Sequence, residues 1–257
     1  MSEATSPKRS PLRHPPLRYA GQSLDEEIAL QRQKALTYIM VAAVCAAVVL
    51  AEWLVVIFKS PTKPWIPTVL TVLVIGYAAV QMSRIRRRMQ RLELGRDGER
   101  IVAEELDSLK KEGASVLHDI VGEGFNLDHV VCCPQGVFLI ETKTRSAPTD
   151  RKPIVVYDGS RVLMNGIEAD RNVIQQATAL AGWLEKTLLG STGRRFAVRP
   201  VVVFPGWYVE PGPMGAAVWV LNPKALPAFI LHEPVSIDTN DVHLITFHLS
   251  RYIRAHY

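Results

Sequence analysis

Residues 126–143 read NLDHVVCCPQGVFLIETK, and this stretch decides how the rest of the chain is organised. Residues 127–133 and 137–143 are apolar runs of strand length, and Pro134-Gln135-Gly136 between them is turn chemistry. Together they predict an antiparallel hairpin. Side chains repeat every two residues along a strand, so Glu141 and Lys143 share a face, and closure of the hairpin brings Asp128 near the pairing partner of one of them. Two carboxylates and an ammonium then occupy one patch of sheet.

Working outward, Gly95-Arg96-Asp97-Gly98-Glu99 precedes Ile101, Val102, Glu105, Leu106 and Leu109, apolar positions at helical spacing that stop at Gly113. This predicts an amphipathic helix with Glu99 near its start. Residues 116–121 form a short strand, followed by the turn Gly122-Glu123-Gly124. Beyond the hairpin, residues 154–157 and 161–165 flank Asp158-Gly159, a strong short-range signal for a second hairpin. Residues 170–189 return to helical spacing through Ile174, Ala177, Ala181, Leu184 and Leu188, ending at Gly190. Residues 198–204 are continuously apolar, as in a strand covered on both faces. A strand at 218–221, a short helix at 223–231 and a closing helix at 240–255 complete the chain, the last with Val242, Ile245, Leu249, Tyr252 and Ile253 inward. The fold class is α/β, with a mixed central sheet flanked by helices.

A different kind of segment precedes this domain. Residues 35–58 read ALTYIMVAAVCAAVVLAEWLVVIF, with Glu52 the one charge, and a helix of that length spans roughly 36 Å against a hydrocarbon core of about 30 Å. Residues 65–82 hold a second uncharged run, with Pro67 in its first turn. Lys59-Ser60-Pro61-Thr62-Lys63-Pro64 joins the two as a tight turn, so residues 35–83 are expected to form a two-helix transmembrane hairpin. A buried soluble hairpin would carry a polar stripe, and neither run has one.

The 257 residues carry a net charge of +5, but the charge is unevenly placed. Arg84, Arg86, Arg87, Arg88 and Arg91 form a basic juxtamembrane linker at 84–91, while residues 92–257 hold 17 basic against 20 acidic side chains. The positive-inside rule places both ends of the hairpin in the cytoplasm, with the bilayer as a partner. The basic excess is therefore a topology signal, and the domain at 92–257 is mildly acidic. Residues 1–34 are read as a cytoplasmic tail, largely disordered over 1–22 and beginning the first helix around Asp25. With 3 Cys and 16 Gly, disulfide and collagen-like scaffolds are excluded, and the chain has no Gly-rich phosphate loop.

Paired carboxylates on a rigid sheet suit a hard divalent cation, which activates water and polarises a phosphodiester, while a lysine stabilises developing negative charge. Metal-assisted phosphodiester hydrolysis fits Asp128, Glu141 and Lys143, with Glu99 adding a helix carboxylate. The spacing alone also fits a half-exposed sheet bearing a cross-strand salt bridge. His118 and His129 are expected to serve packing or hydrogen bonding, Trp183, Trp207 and Trp219 to pack in the core, and Cys45, Cys132 and Cys133 to be reduced thiols.

The sequence GRDGERIVAEEL, then VLHDI, then NLDHVVCCPQGVFLIETK, a DG hairpin and NVIQQA resembles the nuclease-related domain (NERD) family, a membrane-associated branch of the PD-(D/E)XK nuclease-like superfamily, over residues 95–205. The resemblance implies a restriction-endonuclease-like fold and a hydrolase that cleaves nucleic acid, DNA more than RNA, with Mg²⁺ or Mn²⁺. It implies Asp128 and Glu141 as metal ligands, Lys143 as the catalytic lysine and Glu99 as the helix acid. The family's Asn-Pro-X-X-Gln becomes Asn172-Val173-Ile174-Gln175-Gln176 here, which keeps Asn and Gln without Pro and makes Gln176 the matching position. A nuclease-fold module that binds nucleic acid or protein at the membrane without chemistry is the alternative.

Overall fold

The structure is a computed structural model and describes residues 17–57, 65–148, 150–169 and 173–255. The expected turn at 59–64, residues 1–16 of the expected tail and the first residues of the helix expected from 170, Asn172 included, lie outside the described residues. The chain divides into two compact units, one of Gln22–Asp97 and one of Met1–Gly21 with Gly98–Tyr257.

The first unit holds α1 (Gln22–Ile57) and most of α2 (Trp65–Asp107). Both are long and apolar enough to cross a membrane. They pair antiparallel. Trp53 Nε1 donates to Thr68 Oγ1 at 3.0 Å, Thr71 Oγ1 donates to the Cys45 carbonyl at 3.3 Å, and Tyr38 meets Tyr77 edge to face. Beyond the apolar part, Arg88 pairs with Glu27, and Arg96 with Asp25 at 3.3 Å. Glu27 thus neutralises part of the basic stretch at 84–91, which carries no acid of its own.

Two boundaries differ from the sequence expectation. The helix begins at Gln22, a little before the start expected around Asp25, because QSLDEEIALQRQK consists largely of good helix formers. In the same way α2 runs unbroken through 84–91 into the helix that carries Glu99. Arg, Met, Gln, Leu and Glu offer no stop signal there, and a linker was read only from charge.

The second unit is built on β1 (Ser115–Val121), β2 (Asn126–Cys133), β3 (Gly136–Thr142), β7 (Val198–Val203) and β9 (Trp219–Leu221), in the order β1-β2-β3-β7-β9. β1 to β3 are antiparallel, and β3, β7 and β9 are parallel. A mixed sheet covered on both faces is therefore present. On one face α3 (Val173–Thr192) and α5 (Thr239–Ala255) bury Leu180, Leu184, Leu188, Val242, Ile245 and Leu249 with Val130, Cys132 and Leu139. On the other, Val102 and Leu106 of α2 and Leu226 and Ile230 of α4 (Leu226–His232) cover Val131, Phe138, Ile140 and Val201.

A second sheet, β6-β5-β4-β8, contains the expected hairpin as β4 (Ile154–Tyr157) and β5 (Val162–Met164), where Asp158 Oδ1 accepts from the N–H groups of Ser160 and Arg161. Its outer strands β6 (Ile167–Glu168) and β8 (Tyr208–Val209) are two residues each, too short to leave a periodic signal. Phe125, Trp183 and Tyr252 stack edge to face, Trp219 lies between Phe138 and Phe229, and the buried Trp207 donates Nε1 to the Arg145 carbonyl at 3.1 Å, so the three tryptophans pack as expected.

Gly98 sets how closely α2 approaches the end of β3. A Cβ there would lie 1.9 Å from Thr144 Cγ2 and 3.3 Å from its Cβ. Alanine gains about 1 kcal/mol of helix propensity over glycine, but overpacking costs about 1–3 kcal/mol. Gly98→Ala is therefore expected to lower the thermal midpoint of the full chain, and Thr144→Ser in the same chain to recover part of it. Unchanged melting of Gly98→Ala would contradict the close approach.

Candidate active site

The register His129↔Ile140 and Val130↔Leu139 between β2 and β3, continued by one residue, sets Asp128 opposite Glu141. At that level the ladder changes character, because the Thr142 N–H donates to Asp128 Oδ2 at 2.7 Å. The Asp128 side chain accepts the bond and is fixed by it. Glu141 ends the buried part of β3, 4% exposed, on the face covered by α3. Lys143 Nζ lies 2.7 Å from Glu141 Oε1 and donates to Gln176 Oε1 at 3.1 Å, while Gln176 Nε2 donates to Glu141 Oε1 at 2.9 Å. Gln176 reaches inward from the first turn of α3, so its amide closes a three-membered ring of contacts. Asp128, Glu141 and Gln176 open onto a cleft bordered by Val121, Gly122, Phe125 and Asn126.

Glu99, on the part of α2 that belongs to this unit, is 9% exposed and accepts a hydrogen bond from the Gly21 backbone N–H. Burial pushes its carboxyl up to about 7, the charges of Asp119 and Glu141 add to the rise, and the Gly21 N–H and Lys143 oppose it. Asp128 is raised well above the usual carboxylate range, first by desolvation and then by Glu141 and Glu99, against the Thr142 N–H and Lys143. Two acids whose pKa is raised by burial and by their neighbours' charge, beside a third that is buried, are the electrostatic pattern of a cluster that would be relieved by a cation.

The donor set suits a hard divalent ion. Glu141 Oε2 is buried without a hydrogen-bond partner among the described residues, an arrangement that costs free energy unless something positive meets it. Asp128 and Glu141 would hold the ion, with water and substrate oxygens completing its shell. Among the described residues no ready-made group of three or more His, Cys, Asp or Glu ligands is assembled.

All five residues singled out by sequence thus lie in one region of the second unit. Sequence reasoning missed Asp119. This residue sits at φ +50° between the pairs His118↔His129 and Ile120↔Leu127, level with Asp128 across the strands. It is 2% exposed, takes a hydrogen bond from Asn126 Nδ2 at 3.2 Å, and pairs with Arg18 Nη2 at 2.7 Å. A buried aspartate in the middle of an alternating strand was the available signal. Arg18 lies in the expected tail and has no local pattern to mark it.

The histidines behave as packing groups. His118 Nδ1 and His129 Nδ1 are 2.9 Å apart, and burial lowers the pKa of both, most strongly for His129. Cys132 and Cys133 are buried free thiols whose pKa burial raises.

No curated protein and no solved structure matches the chain. A family model does match, over residues 94–205, a span that contains Glu99, Asp119, Asp128, Glu141, Lys143 and Gln176 but not Arg18. The model matched is that of the nuclease-related domain, and this part of the chain is similar to it.

Proposed function

We propose that the protein is a membrane-anchored, cytoplasm-facing hydrolase that cleaves phosphodiester bonds of nucleic acid, with Mg²⁺ or Mn²⁺ at Asp128 and Glu141. The observation that carries this reading is the joint placement of Asp128 opposite Glu141 with Lys143 and Gln176 on the same carboxylate oxygen. When bound, the ion supplies a Lewis acid that polarises the phosphodiester and favours hydroxide from water.

The remaining work belongs to the side chains. Asp128 is held rigid by the Thr142 N–H, so its orientation is set before substrate arrives. Lys143 is within reach of both Glu141 and Gln176, and it can turn from the carboxylate to a phosphoryl oxygen as charge develops there. Gln176 keeps the lysine in place during that exchange. Glu99, protonated for part of the time near neutral pH, can exchange a proton with solvent or leaving group. The two apolar helices and the basic stretch at 84–91 support the anchored, cytoplasmic placement.

One observation favours a module that binds without cutting. Glu141 Oε1 is already engaged by Lys143 and Gln176, and the domain's acidic balance gives a polyanion little general attraction. Cleavage assays decide between the two. The full chain in detergent is expected to cut labelled oligonucleotides only with Mg²⁺ or Mn²⁺, and Lys143→Ala or Asp128→Asn to lose about 100-fold or more of that rate. Equal cleavage by the variants sinks the assignment, and salt-dependent binding without turnover at any metal concentration supports the binding module.

The raised Glu99 pKa fixes a pH dependence. The folded chain binds this proton more tightly than the unfolded chain, whose carboxyl titrates near 4.5. The stabilisation is therefore complete below about 4.5 and is lost as pH rises to about 7, at up to about 1.4 kcal/mol per pH unit. Thermal melts of the metal-free chain are expected to fall across this window, and Glu99→Gln to flatten the slope. A melting temperature that rises with pH from 5 to 7 would falsify the assignment of Glu99 as a buried, proton-holding acid.

A further inference from the structure

Arg18 precedes both apolar helices in sequence, yet its guanidinium is buried in the nuclease-related unit, 8% exposed. Nε donates to Asp119 Oδ2 at 2.8 Å and Nη2 lies 2.7 Å from the same oxygen. Ala20 is buried, Gly21 adopts φ +76°, and the Gly21 N–H bonds to Glu99. Residues 18–21 therefore touch two of the acids at the site from one side. Buried ion pairs of this kind contribute little to stability beyond what apolar packing would, so their placement calls for another explanation.

The placement suggests one. Glu99, Asp119, Asp128 and Glu141 are four carboxylates, of which Asp119 lies level with Asp128 across paired strands and acts on Glu99 through its charge. A hard cation takes carboxylate oxygens where it can, and a third or fourth negative ligand tightens its binding while withdrawing positive charge from substrate oxygens. An arginine held on Asp119 by two contacts to one oxygen prevents this.

We propose that Arg18 is a positioning residue that acts as a built-in counter-ion, withholding Asp119 from a cation bound by Asp128 and Glu141. The segment before the first apolar helix is then a working part of the site. The inference rests on the metal-dependent reading above, and its test separates the two.

Full-length protein in lipid nanodiscs is compared as wild type, Arg18→Gln, Asp119→Asn and the double variant, each first shown to be folded by its thermal melt. Mn²⁺ affinity is measured by titrating free Mn²⁺ with electron paramagnetic resonance, without nucleic acid. Arg18→Gln is expected to bind Mn²⁺ at least threefold more tightly, because a carboxylate is released to the ion, while its turnover of oligonucleotide falls about tenfold with KM little changed. General damage to the site would weaken both. The double variant is expected to return Mn²⁺ affinity to within twofold of wild type, since the released ligand is gone. Asp119→Asn alone, which serves if Arg18→Gln does not fold, is expected to leave Mn²⁺ affinity within twofold of wild type. Mn²⁺ binding by Arg18→Gln that is unchanged or weaker, or a fivefold loss in Asp119→Asn, overturns the proposal. If wild type binds Mn²⁺ but cuts no nucleic acid, the hydrolase reading fails and the affinity comparison still decides the role of Arg18.

Discussion

The pairing of β2 with β3 is the constraint on which the site depends. Because His129 faces Ile140, Asp128 falls level with Glu141, and a slip of one residue would send every side chain of one strand to the other face. Several features hold that register. The turn at 134–135 is tight, Val130, Cys132 and Leu139 bury one face and Val131, Phe138 and Ile140 the other, and the Thr142 N–H is taken by a side chain where the regular pairing stops. A sheet apolar on both faces has little freedom to shift, so the carboxylates inherit their geometry from the core rather than from one another.

Electrostatics work against that geometry. Acids brought together in a half-buried cleft repel, and desolvation penalises each charge, which is why Glu99 and Asp128 hold protons more strongly than usual. Positive groups relieve the strain at two places, Lys143 on Glu141 and Arg18 on Asp119. The domain is acidic in balance, and these two cations act locally on its carboxylates.

Much of this was legible in the sequence because it is local. The hairpin at 126–143, the helical spacing around Leu180 and Leu184, and the Glu141–Lys143 alternation all reflect periods of two or of three to four residues, and the fold class follows from them. What escaped has no period. Arg18 meets Asp119 across 101 residues, Asp119 owes its position to one left-handed backbone angle, and β6 and β8 are too short to alternate. The continuity of α2 was hidden for another reason. A run of arginines suggests a linker by charge, whereas helix propensity depends on the backbone and is high throughout.

Gly21 and Gly98 belong to one unit and the residues between them to the other, so in sequence the apolar pair is an insertion in that unit. Insertions have a parity. If each apolar helix crosses the bilayer once, two crossings return the chain to the side it left, and Arg18 can meet Asp119; an odd number would separate them by a membrane. The order of synthesis matters as well. Arg18 emerges from the ribosome long before its partner, and its burial waits until Asp119 has followed, a closure whose entropic cost grows only slowly with the length between.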